Sequence, residues 1–91
     1  MPLEWFVYIL ECGDRTLYTG ITNNLDKRIK AHAEGKGARY TRGRGPLILR
    51  YTENHPTKGF ALQREAVIKS LGRTQKLRLF PKTSKRTRKA P

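Results

Sequence analysis

Five side chains of this sequence could together act on a phosphodiester: Tyr8, Tyr18, Arg28, His32 and Glu65. Such a reaction needs a group that activates water, a Lewis acid for the developing negative charge and fixed cations around the phosphate. A tyrosine hydroxyl or His32 would take the proton of the water. An unperturbed phenol titrates near ~10, so neighbouring cations would have to favour its ionised form. Arg28 offers a rigid fork of donors for phosphate oxygens. Glu65 is the remaining acidic residue after Glu53, and one carboxylate suits one divalent ion, Mg²⁺ or Mn²⁺, that keeps most of its water. The other acids fall at expected strand ends, turns or a helix cap, so a second metal has no evident cluster of ligands.

These side chains must be placed by a small set of elements. Residues 5–12 and 16–21 are rich in aromatic and β-branched residues and flank the turn residues Gly13-Asp14-Arg15, which predicts a β-hairpin. Even-numbered residues then share one face, with Tyr8 and Tyr18 diagonally close and Gly20 leaving room beside them. Asn23 or Asn24 caps a first helix over 25–34, with Leu25, Ile29 and Ala33 as its apolar stripe. Arg28 and His32, four apart, project from one edge of that stripe. Residues 36–46 read as a glycine-punctuated loop whose four cations surround Tyr40, a composition suited to a sugar-phosphate chain. A third strand over 47–51 and a turn over 53–57 that contains His55 follow. A second helix from 59 or 60 to 71 carries Phe60, Val67 and Leu71 on one stripe and Ala61, Glu65 and Ile68 on the adjoining one. A carboxylate on an apolar face calls for a compensating metal or cation, and an ion pair with Lys69 one turn later is the simple alternative. A short helix over 74–80 is expected to bury Leu77 and Phe80.

Composition narrows the partner. Twenty Lys and Arg oppose seven Asp and Glu, a formal charge of +13 with a pI near 10.6. That excess points to a polyanion, and the chain lacks the long amphipathic pattern of a membrane-surface helix, so nucleic acid leads. Residues 82–91 hold five of the cations and no large apolar residue, which predicts a disordered basic tail behind a single domain over 1–81; that domain keeps a net +8. The apolar run at 5–10 is too short to span a membrane and has acidic flanks unlike those of an export signal. Cys12 stands alone, excluding an intrachain disulfide and a cysteine-rich zinc site. A cytoplasmic protein is expected.

The ordered set Phe6-Val7-Tyr8, Tyr18-Thr19-Gly20, Arg28 with His32, and Glu65 resembles the GIY-YIG endonuclease superfamily over roughly residues 5–80. Residues 18–25, 37–42 and 65–69 are most similar to its small stand-alone, UPF0213-like members. The resemblance implies an α+β fold, a three-stranded antiparallel sheet flanked by helices. It also implies metal-dependent cleavage of DNA, usually with Mg²⁺, with branched, damaged or single-stranded DNA as candidate substrates in repair or recombination. By the same resemblance Tyr8 and Tyr18 are site tyrosines, Arg28 stabilises phosphate, His32 is the base or its relay, and Glu65 binds the metal. Arg39, Tyr40, Thr41, Arg42, Lys69 and Lys76 are the expected nucleic-acid contacts, and a protein partner could add specificity. Phe6 and Val7 replace the first glycine and isoleucine of the name motif. Ile21 stands where some members carry a lysine, so the proton relay can differ. A noncatalytic DNA- or RNA-binding module and an RNA-processing nuclease are the competing readings.

Overall fold

The two aromatic-rich runs fold back on each other about residues 13–15. In the computed structural model, which describes residues 4–81, they form β1 (Trp5–Glu11) and β2 (Leu17–Thr22). Tyr8 pairs with Gly20 and Leu10 with Tyr18, so even-numbered residues do share a face and the tyrosines lie diagonally. Helix α1 (Leu25–Ala33), the third strand β3 (Ile48–His55), and helices α2 (Lys58–Lys69) and α3 (Arg73–Leu77) complete the order. The sheet is antiparallel with β1 in the middle, β2 and β3 at its edges. This is the α+β architecture expected. The expected tail over 82–91 lies outside the described residues.

The two faces of β1 divide the molecule. Val7 and Ile9 point to a core with Ala61 and Ile68 of α2, against which Trp5, Leu17, Ile21, Tyr51, Leu79 and Phe80 pack. Tyr8 and Leu10 are equally buried on the opposite face, toward α1. Asn24 caps α1 by accepting from the Lys27 amide at 3.1 Å, and Thr57 caps α2 by accepting from Phe60 at 3.2 Å.

Several expectations change. The strand β3 continues through Glu53 to His55, where a turn was expected, because pairing extends to Trp5 opposite His55. Tyr51, Glu53 and His55 alternate onto the α2 side. There the Glu53 carboxylate accepts from the Tyr51 hydroxyl, from His55 at 2.8 Å and from Arg64 at 2.7 Å. Burial works against its charge, but those three hydrogen bonds outweigh it and hold Glu53 below the usual carboxylate range. The helix α2 ends at Lys69 and turns Ala61 and Ile68 inward, leaving Phe60 and Val67 about half exposed. Helix α3 ends at Leu77, which is exposed; Leu79 and Phe80, just beyond it, reach the core instead. In α1 the buried residue is His32, while Ala33 at the end of the expected stripe is exposed.

Candidate active site

His32 is a histidine four residues after an arginine on a nine-residue helix, and the helix buries it to 2% exposure. Its ring sits between two hydroxyls. Nε2 is 2.9 Å from the Tyr8 hydroxyl, and Nδ1 is 2.9 Å from Thr41 Oγ1. Thr41 belongs to a 3₁₀ turn (Arg39–Thr41) within the 36–46 loop, and its hydroxyl donates to the Ala38 carbonyl at 3.0 Å. A threonine has one proton to give. Since it goes to Ala38, Thr41 can only accept from His32, so Nδ1 carries the imidazole hydrogen and Nε2 is the bare acceptor. The Tyr8 hydroxyl therefore donates to Nε2, and a proton path runs from Tyr8 into His32.

Arg28, one turn before His32, donates Nε to the Tyr8 oxygen at 3.4 Å. Tyr8 is fully buried, and burial raises its phenol above the ordinary value of 10.0. The hydrogen bond from Arg28 opposes that rise, while the charges of Tyr18 and Glu65 add to it. Burial first, then the Arg28 charge, hold His32 below its ordinary 6.5, so the ring is neutral near pH 7. The Arg28 guanidinium is pushed the other way, chiefly by its hydrogen bond to Tyr8. A neutral histidine acceptor, a buried phenol and a permanent cation thus meet at one point.

Two glycines make the closeness possible. A Cβ on Gly20 would lie 2.6 Å from the Tyr8 hydroxyl, and one on Gly37 would lie 2.3 Å from His32 Nδ1. Tyr18 completes the aromatic group, its ring centroid 5.3 Å from that of His32 and 6.3 Å from that of Tyr8. Tyr40 stacks on Tyr18 at 5.9 Å, and the Arg44 guanidinium lies 4.5 Å from the Tyr40 centroid. Arg44 is in turn paired with Asp14 at 2.5 Å, which ties the loop to the hairpin turn.

Glu65 enters from α2, with its side chain 17% exposed and Oε2 3.4 Å from Lys69 Nζ. The ion pair considered from sequence is therefore formed, although Lys69 is half in solvent. Among the described residues no three His, Cys, Asp or Glu side chains gather around a common point. The donor set still fits a divalent ion that takes one protein carboxylate and fills its shell with water and phosphate oxygens; Glu65 is the residue that would hold it.

The five side chains expected to act together are thus brought to one region, Tyr8, Tyr18, Arg28 and His32 by direct contact and Glu65 by the effect of its charge on Tyr8. Arg39 and Arg42 are exposed beside them, and Tyr40, Lys69 and Lys76 border a common hollow. Thr41 is the correction: expected on the nucleic-acid surface, it is 2% exposed and its hydroxyl is committed to His32 and Ala38. Sequence reasoning missed its partnership with His32. The signal was Gly37, five residues beyond the histidine, where only a glycine lets the loop pass so close.

Residues 4–78 match the GIY-YIG catalytic domain. The chain belongs to that family of nucleases. The relatives it resembles include a UPF0213 protein of Clostridium perfringens, 58% identical over 87% of this chain and 85% of that one. A UPF0213 protein of Natronomonas pharaonis is 51% identical, covering 87% and 93% of the two chains. Two solution NMR structures share the fold. The UPF0213 protein BH0048 of Bacillus halodurans has a TM-score of 0.54 at 51% identity, over 84% of this chain and 81% of that one. The protein EF2693 of E. faecalis has a TM-score of 0.58 at 33% identity, over 84% and 82%. GIY-YIG nucleases act on nucleic acids and are generally metal-dependent. No helix among the described residues of this GIY-YIG chain is long and apolar enough to cross a membrane.

Proposed function

We propose that this GIY-YIG domain is a metal-dependent endonuclease that hydrolyses phosphodiester bonds in DNA with Mg²⁺ as its ion. The observation that supports this reading most is the ordered contact from Thr41 through His32 and Tyr8 to Arg28, with a largely enclosed Glu65 close enough for its charge to act on Tyr8.

Thr41 holds the imidazole with Nε2 free. Tyr8 takes the proton of the attacking water as its own proton passes to His32 Nε2. The new bond forms between that water oxygen and phosphorus. The bond to the leaving sugar oxygen breaks with its electron pair, and that oxygen is protonated from solvent. Arg28 keeps one donor on Tyr8 and presents the rest of its fork to the phosphate, so nucleophile activation and charge neutralisation share one side chain. A divalent ion held by Glu65 would supply Lewis-acid stabilisation of the phosphate. Arg39, Arg42 and Tyr40 would contact the flanking chain.

Glu65→Gln keeps the shape of the side chain and removes its charge. The expected outcome is loss of Mg²⁺-dependent cleavage of labelled oligonucleotides with binding retained in a gel-shift assay. Cleavage by the variant at the wild-type rate would overturn the assignment of Glu65. Binding by the wild type without any metal-dependent product would instead favour a noncatalytic module.

A further inference from the structure

Beside Tyr18, on the side of α2 and α3, are two adjoining hollows that the proton path does not use. The larger, about 260 Å³, is lined by Leu17, Tyr18, Thr19, Tyr40, Lys69 and Lys76. The smaller, about 210 Å³, shares Leu17, Tyr40 and Lys76 with it and adds Thr16 and Arg73. We propose that together they form a subsite for one unpaired nucleotide flanking the scissile phosphate, a proposal that rests on reading the adjacent centre as a nuclease.

Three features carry this. The first is a polar group with nothing to bind. Thr19 is 3% exposed, lines the larger hollow, and its Oγ1 has no hydrogen-bond partner among the described residues. A buried hydroxyl is almost always paired, and a turn of the Thr19 side chain about χ1 would bring this enclosed Oγ1 to a base edge or sugar hydroxyl held in the hollow. The second is charge. Lys69, Lys76 and Arg73 border the hollows and no carboxylate among the described residues lines either one, although Lys69 also meets Glu65 and Arg73 donates to the Arg15 carbonyl at 2.5 Å. Cations spaced along a groove suit a backbone rather than a single anion. The third is a fixed aromatic wall. Tyr40 is held by Tyr18 and Arg44 yet remains 41% exposed, a pre-oriented ring against which one base can pack.

The exposed Tyr40 ring shared by the two hollows favours a splayed nucleotide. A base that packs on that ring has to leave its pairing partner and its stacked neighbours. Pairing state beside the cut, rather than base identity, is what this subsite would read.

The test compares two fluorescent DNA probes of identical sequence, one fully duplex and one with a short unpaired flank at the junction. Binding to the full-length chain is followed by anisotropy in the presence of chelator, so that catalysis plays no part. Wild type is expected to prefer the unpaired flank by about tenfold, the scale of one base stacked on an aromatic ring. Tyr40→Leu should erase most of that preference. Thr19→Val, nearly isosteric, should reduce affinity for the unpaired probe several-fold while leaving the duplex probe unaffected and the fold intact by circular dichroism. Equal affinity of wild type for the two probes would overturn the proposal, as would a preference unchanged in both variants. Preference retained in a chain that never cuts DNA with metal would support the subsite and defeat the nuclease reading alone.

Discussion

Thr41 illustrates how one hydroxyl can set the direction of a proton path. Its hydrogen is spent on Ala38, so His32 is left with a bare Nε2 facing Tyr8. Replacing Thr41 by Val removes the acceptor for Nδ1 and strands a buried N–H. The loss of that hydrogen bond, about 1 kcal/mol or more, lowers the single-turnover rate by roughly tenfold, while Thr41→Ser retains most of it. The pH dependence follows from the same ring. His32 must be neutral to accept, and its pKa lies below 6.5, so activity is full above that range and falls as pH drops through the lowered value. Stability changes with the same sign. Below about 6.5 the unfolded chain takes up a proton that the folded chain resists, so stability from this group is lost as pH falls between the unfolded and folded values. An acid limb in the pH–rate profile below 6.5 would bear this out. A limb above 6.5 would contradict it.

At the scale of elements, α2 is the helix whose orientation decides where Glu65 stands. Ala61 and Ile68 face the core and Phe60 faces outward. Ile68→Ala is expected to cost about 2–5 kcal/mol of unfolding free energy and Phe60→Ala well under ~1 kcal/mol, measured by denaturant unfolding. The reverse order would mean that the helix is turned the other way. The sequence alone left this open, because two adjoining stripes on α2 both had helical spacing and only contact with Val7 and Ile9 chooses between them. Elsewhere local rules were enough. Strict alternation in the hairpin placed Tyr8 and Tyr18 together, and four-residue spacing put Arg28 and His32 on one edge. The 36–46 loop was legible as basic and aromatic, but its return to His32 is a tertiary event without periodicity. Glu53 and His55 read as turn residues because their strand role depends on pairing with β1 and on Arg64, eleven residues further on.

Over the whole molecule, a charge of +13 would make the proposed association with nucleic acid electrostatic before it is specific. Arg39 and Arg42 are exposed beside Tyr40 and Thr41, so the double change Arg39→Ala/Arg42→Ala should flatten the log–log dependence of duplex affinity on salt by about 1.8 units, about 0.9 per lost phosphate contact. An unchanged slope would remove both residues from the interface. In the proposed reading, specificity is then left to the geometry near Tyr18 and Tyr40. In the proposed mechanism the buried Tyr8, bonded to His32 and Arg28, drives metal-dependent hydrolysis. Its most direct test is single-turnover cleavage of end-labelled DNA by wild type and Tyr8→Phe, with Mg²⁺ and with chelator. Cleavage by wild type with Mg²⁺ alone, and a Phe variant slowed at least ~100-fold, is the predicted result. Equal rates for the two proteins, or cutting that survives the chelator, would contradict it.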